Sequence, residues 1–247
     1  MTDAGPTFDL AVPARVLAVG AHPDDIEFGC GATLAKWSAA GCAVHLLVLT
    51  DGSKGTWDPD ADPAALAATR IAEQDAAARV LGATAVSRTE FVDGELGDGR
   101  AERAAVCAVI RTVRPDVLLA HDPWKRYRLH PDHRHAGWLT LDAVVAARDP
   151  HFFPAPDLAP HRPECLLLFE AEVVDHYERV AGVDEKVDAL LAHRSQWRST
   201  MGIEADSPAA DAQRTAFAER IRAEATRFGA AGGGGGFAEG FKRIDEV

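Results

Sequence analysis

Two short segments of this 247-residue chain gather side chains that bind metals and move protons. One is His22-Pro23-Asp24-Asp25, the other His130-Pro131-Asp132-His133. In each, two metal-capable groups stand three residues apart, His22 with Asp25 and His130 with His133. A proline follows the leading histidine both times. Pro23 keeps His22 extended and so fixes the direction of its imidazole. Pro131 suits the first position of a helix, where its missing N–H costs nothing, and His133 then falls in the first turn. A catalytic zinc takes three protein ligands from His and carboxylate and leaves a fourth position for water. Alone, either segment reads equally well as a helix cap with solvated acids or as a pair of surface histidines. Together they bring three or four donors to one divalent ion.

The hydrophobic pattern says what must hold them together. Arg15–Gly20 is a short β-rich run ending directly before the first segment, and Ala43–Thr50 is a continuous apolar run of the kind found in strands buried on both faces. Between them a helix is expected from about Ile26 to Ala39, closed by Gly41. A polar loop, 51–62, leads to an Ala-rich helix from about Ala64 to Leu81 with Gly82 as its stop. Phe91-Val92 reads as a short strand, Glu102–Val113 as a helix, Asp116–Ala120 as a strand, and the stretch from His133 to about Arg148 as a helix. Pro150 to Pro163 is proline-rich loop. Cys165–Phe169 and Glu172–Val174 are expected as late strands, and Asp184 to about Gln196 and Asp211–Phe228 as late helices. Gly232–Gly236 fits neither element. The succession predicts an α/β fold, a Rossmann-like, mostly parallel sheet with helices on both faces and a site at the carboxyl ends of the strands. It is expected as one domain over 1–247, with a core at 15–150 and a C-terminal strand-and-helix portion at 164–247. Gly20 is followed by Ala-His-Pro and no GxGxxG is present, which disfavours a dinucleotide-binding enzyme.

Composition narrows the partners. Lys and Arg number 26 against 38 Asp and Glu, a formal net charge of -12 that repels phosphate backbones, so no nucleic acid is expected. No run approaches the roughly 18 apolar residues that span a bilayer. The four cysteines (Cys30, Cys42, Cys107, Cys165) form no CxxC pair and read as reduced, buried thiols, with the cytoplasm as the expected location. A homo-oligomer is compatible with this surface.

Ala21–Asp25, with Gly29–Thr33 behind it, resembles the LmbE-like or PIG-L superfamily of zinc-dependent N-deacetylases. So do His130–His133, Leu49–Gly52, Arg70–Glu73, His193–Gln196 and Ala238–Phe241. The resemblance covers most of 15–196. It implies that His22, Asp25 and His133 hold Zn2+, that Asp24 is the general base, and that His130 stabilises the oxyanion or assists the departing amine. Fe2+ can replace zinc in such a set, since these ligands select weakly between the two. Arg70 and Asp93 match family positions that bind sugar hydroxyls, although an ion pair and an Asp-Gly turn explain them as well. The implied substrate is a small N-acylated amino sugar or its glycoside.

Other residues carry weaker signals. Asp122 is a candidate for orienting a ligand histidine, and Tyr127 and Arg128 for lining the cleft. His121 and His135 lie nearer the site than His45, His151 and His161, which carry no partner pattern. Trp57 is either a sugar-stacking ring or a loop-packing one. Three functional readings follow: a deacetylase of an N-acetylated amino sugar, an amidase of the same fold acting on a thiol conjugate or other acylated metabolite, and a non-catalytic metal-binding protein. Intact Asp24 and His130 speak against the last, because holding a metal requires neither.

Overall fold

The computed structural model describes residues 5–247. Strand β1 (Thr7–Phe8) precedes β2 (Arg15–Gly20), α1 (Asp25–Ala39), β3 (Ala43–Thr50), α2 (Pro63–Val80), β4 (Ala85–Phe91), α3 (Arg100–Val113), β5 (Val117–His121) and α4 (Pro131–Arg148). Then come β6 (Cys165–Phe169), β7 (His176–Val180), α5 (Asp184–Ala192), a 3-10 turn at Arg194–Gln196 and a π-helical turn at Trp197–Met201. Helix α6 (Ala210–Ala231) and β8 (Phe237–Asp245) complete the chain.

The strands form one sheet in the order β1-β7-β8-β6-β5-β2-β3-β4. Strands β2 to β6 are parallel, and β8 runs antiparallel between β6 and β7. Side chains along β2 alternate between two cores. Val16 and Ala18 pack with Ile26 and Leu34 of α1 and Ala77 of α2, while Leu17 and Val19 pack with Ile110 of α3 and Leu139 of α4. Both faces are therefore covered, as a parallel sheet requires. From β2 the chain first moves outward through β3 and β4, then returns through α3 to β5 on the other side of β2. Neighbouring strands β2 and β5 thus flank the point where strand order reverses, and a crevice opens beyond their carboxyl ends.

Several expectations change. Strand β4 is seven residues long instead of the Phe91-Val92 pair, because an edge strand carrying Ser87, Arg88, Thr89 and Glu90 shows no apolar run. Glu172–Val174 is not a strand: Val173 faces solvent and the Glu172 N–H bonds Asp122, so the strand is β7 two residues later. Helix α5 ends at Ala192, and the segment expected to continue it is irregular. Strands β1 and β8 were not expected.

Helix α1 breaks at Cys30, whose φ of -151° and ψ of 18° are not helical. Two residues from late in the chain partner the backbone groups around the break. Glu239 of β8 accepts from the N–H of Ala32 (3.2 Å) and of Thr33 (2.7 Å). Lys186 of α5 donates to the Phe28 carbonyl (2.7 Å) and to Glu239 (2.6 Å), and both side chains are buried. Gly29 is required here because a Cβ would run into the Phe169 ring. At the far end of α4, the buried Arg111 donates to the carbonyls of Ala146, Ala147, Asp149, Phe152 and Phe153, placing a cation where the helix dipole is negative. Among the described residues no helix is long and apolar enough to cross a membrane, and all four cysteines are free and buried.

Candidate active site

The turn after β2 is built to aim two acids and a histidine. Thr50 of β3 donates from its hydroxyl and its N–H to the Ala21 carbonyl, each at 2.8 Å, tying the turn to the sheet. The His22 N–H donates to Asp25 Oδ2 at 2.7 Å, closing the turn on itself. Between them Asp24 takes the left-handed conformation, φ 100°, a strained state for a residue with a Cβ. Its N–H is held by Gln74 Oε1 at 3.2 Å, and Gln74 in turn donates to Glu27 at 2.6 Å. The second segment behaves as its proline predicts: His130 is the N-cap of α4 and Pro131 its first residue, with His133 in the first turn.

His22 Nδ1, Asp25 and His133 Nε2 converge. His22 Nδ1 lies 3.1 Å from His133 Nε2 and 3.3 Å from Asp25 Oδ2, and His133 Nε2 lies 3.2 Å from Asp25 Oδ1. Zinc bonds of about 2.0–2.1 Å in a tetrahedron put neighbouring donors roughly 3.3 Å apart. The spacing of this donor set therefore fits the ion. Overlapping donor groups surround it: His130 with His22 and His133, His121 with Asp25 and His133, and Asp93 and Asp132 with His22. The geometry separates these roles. His22 Nε2, the ring's other nitrogen, faces Asp93 Oδ1 at 3.1 Å and Asp132 Oδ2 at 3.2 Å. Carboxylates there hold the Nε2 proton, so that in the neutral ring the Nδ1 lone pair faces Asp25 and His133. His121 Nε2 contacts Asp25 Oδ2 at 3.2 Å from beneath.

Electrostatics separate the two neighbouring acids. Burial raises Asp24 to about 6 against the opposing charge of Arg70. Burial pushes Asp25 the same way, but the His133 and His121 charges and hydrogen bonds prevail and hold it well below the ordinary carboxylate range. His22 is also opposed by burial, yet its hydrogen bonds to Asp132, Asp25 and Asp93 raise it well above the usual histidine value. His130 is lowered by burial and by the charges of His22 and His133. Its ring lies 4.6 Å from that of His22 and 4.9 Å from that of His133, centroid to centroid, at the open side of the donors.

Arg70 and Asp93 both reach the site, and both are already engaged. Arg70 is buried, donates to the carbonyls of Gly52 and Pro23, and lies 3.5 Å from Asp24 Oδ2. Asp93 accepts from the Lys54 N–H as well as facing His22. Asp122 does not orient a histidine: its oxygens accept the N–H of Trp124 and of Glu172, so it shapes a loop. Sequence reasoning missed Asp132 and His121 in that supporting role, although both sit in places it had marked, inside the second segment and at a strand's carboxyl end. It also missed Gln74, Glu27 and Glu170, which carry no local signal. Arg128 donates to His133 Nδ1 at 2.6 Å and pairs with Glu170, and Tyr127 turns outward with 92% exposure. His135 bonds the Leu96 carbonyl and His161 the Pro115 carbonyl, which makes them ordinary structural histidines.

These groups floor an open cavity of about 570 Å³, walled by the 54–57 loop on one side and by Gln196, Ser199 and Thr200 on another. The sequence model of the PIG-L family, described as GlcNAc-PI de-N-acetylase, matches residues 17–144, which is the stretch that carries both segments. This chain belongs to the PIG-L family. The PIG-L protein described here is 36% identical over 187 residues to diacetylchitobiose deacetylase of Thermococcus kodakarensis, covering 74% of this chain and 70% of that one. It is 35% identical over 169 residues to 1D-myo-inositol 2-acetamido-2-deoxy-alpha-D-glucopyranoside deacetylase of Streptomyces avermitilis, spanning 57% of this chain and just over half, 56%, of that relative. In three dimensions it resembles N,N'-diacetylchitobiose deacetylase from Pyrococcus horikoshii with a TM-score of 0.82 at 29% identity, covering 94% of this chain and 84% of the other. With that membership the protein is a hydrolase of amide bonds, an N-deacetylase.

Proposed function

We propose that the protein removes the acetyl group from an N-acetylated amino sugar or its glycoside, with one Zn2+ held by His22, Asp25 and His133; Fe2+ suits the same donors. The observation that carries this reading is the mutual spacing of those three residues' donor atoms, 3.1–3.3 Å, with a second carboxylate, Asp24, beside them and outside the set. A divalent cation there polarises the amide carbonyl and acidifies water. Asp24, fixed by the Gln74 bond and by Arg70, takes the proton of the attacking water as its oxygen bonds the acyl carbon. His130 faces the same space and stabilises the charge that develops on the carbonyl oxygen, or passes a proton to the nitrogen as the C–N bond breaks. The products are acetate and a free amine. Asp93 and Asp132 keep His22 in one tautomer. When Nε2 of His133 binds the ion its proton sits on Nδ1, and Glu170 is then the acceptor left to Arg128. The free, buried thiols suit a reducing compartment, the cytoplasm.

The test is amine release by the zinc-loaded protein from a panel of N-acetylated amino sugars and their glycosides. Stoichiometric amine and acetate support the reading. A protein that binds zinc and releases amine from none of them overturns it, and release only from N-acylated non-sugars would make it an amidase of other acylated metabolites.

A further inference from the structure

The chain has five tryptophans, and four of them contact the core, a guanidinium or another ring. Trp37 is fully buried, Trp197 lies under the guanidinium groups of Arg194 and Arg214, and Trp124 and Trp138 meet edge to face at 5.0 Å. Trp57 is the exception. Its side chain lines the cavity with 81% of its surface open, and among the described residues no aromatic ring or guanidinium stacks on it. The loop-packing role left open by the sequence is therefore not the one the indole plays.

An exposed indole on a mobile loop would mean little, but this loop is pinned next to the ring. The Gly55 carbonyl accepts from Gln196 Nε2 at 3.0 Å, the Gly52 carbonyl accepts from Arg70 at 3.1 Å, and the Lys54 N–H bonds Asp93 at 3.1 Å. A Cβ at Gly55 would collide with Arg70 Nη1, so the loop lies directly on that side chain. Arg70 in turn touches Asp24. The backbone two residues before the indole is thus held one guanidinium away from the proposed base. The same cavity is lined by Ser199 and Thr200, which carry hydroxyls, and by the ring of Phe28.

A flat apolar face in one cavity with hydroxyl-bearing side chains matches a pyranose, which presents C–H bonds on its faces and hydroxyls at its edge. We propose that Trp57 is the stacking platform for a second sugar ring attached to the N-acetylated one, and that it sets the preference of this site for a two-ring substrate. This rests on the amino-sugar deacetylation proposed above.

The experiment measures kcat/KM of the zinc-loaded protein, of Trp57→Ala and of Trp57→Phe on N-acetylglucosamine and on N,N'-diacetylchitobiose. The expected result is that Trp57→Ala lowers the disaccharide-to-monosaccharide ratio of kcat/KM about tenfold, mainly through KM for the disaccharide, as loss of one stacked ring implies. Trp57→Phe should recover most of the ratio. A ratio unchanged in Trp57→Ala overturns the proposal. Calorimetric titration of the zinc-loaded Asp24→Asn protein with the same two sugars separates this from the deacetylation reading. If no variant releases amine yet Trp57→Ala in that background weakens disaccharide binding selectively, the platform stands and the deacetylation reading falls. If disaccharide binding is indifferent to Trp57, the platform falls whatever the activity.

Discussion

The inner end of the cleft and its rim are built by opposite rules. At the inner end each candidate group is held by another: His22 by Asp93 and Asp132, Asp25 by His121 and its own turn, His133 by Arg128, and Asp24 by Gln74 and Arg70. At the rim, in the turn that leads into the lining residue His130, Tyr127 and Leu129 stand almost fully exposed. Groups that would meet a metal within a few tenths of an ångström are over-determined, whereas the exposed turn is left free. The contrast predicts a steep gradient of mutational effect from the proposed donors to that turn.

The largest effect falls on the donors. Alanine at His22, Asp25 or His133 should weaken metal binding by more than the roughly 10–100-fold typical of supporting partners, read as metal content after dialysis. Full occupancy in all three variants would dissolve the inner end as a metal site. Next comes Asp24→Asn, which should retain the metal and lower kcat by about 10²–10⁴-fold. Near-normal turnover would move the base elsewhere. Asp132→Asn should lower metal affinity by about 10–100-fold while the fold persists, and an unchanged affinity would mean that Asp93 alone fixes His22.

A smaller effect lies between the two regions. Burial opposes ionisation of Glu170, but hydrogen bonds from His121 and Arg128 outweigh it and lower the carboxyl to about 2 from its ordinary 4.5. An acid depressed in the folded state contributes stability that is present above its unfolded value and lost as pH falls through its folded one. Thermal melts between pH 5 and 2 should therefore fall less steeply for Glu170→Gln than for the parent protein, and parallel curves would show that the pair adds nothing. The smallest effect belongs to Tyr127→Ala, whose melting free energy should stay within about 0.5 kcal/mol of the parent. A larger loss would show that the rim is packed after all.

The same gradient governed what the amino-acid sequence could reveal. His22, Asp25, His130 and His133 were legible because a strand end and a proline-started helix constrain spacing locally. Gln74, Glu170 and Glu239 were not, since each acts on a partner more than forty residues away. Strand β8 escaped notice because the buried Glu239 and Gly240 interrupt its apolar pattern and a glycine run precedes it, although it lies inside the sheet. Val173 and Val174 misled in the other direction, an apolar pair that the chain spends on a loop. Hydropathy reports average surroundings, and a buried carboxylate satisfied by helix N–H groups defeats it.

The break in α1 has a consequence for how the molecule can be divided. A fragment ending at Val144 holds every donor and matches the family over its whole span. It lacks Lys186 and Glu239, so the Phe28 carbonyl and the N–H groups of Ala32 and Thr33 lose the partners that they have in the whole chain. Such a fragment should bind metal poorly alone, and adding residues 145–247 as a separate polypeptide should restore binding by complementation. The two pieces would then find each other through the contacts that Lys186 and Glu239 make to the break in α1.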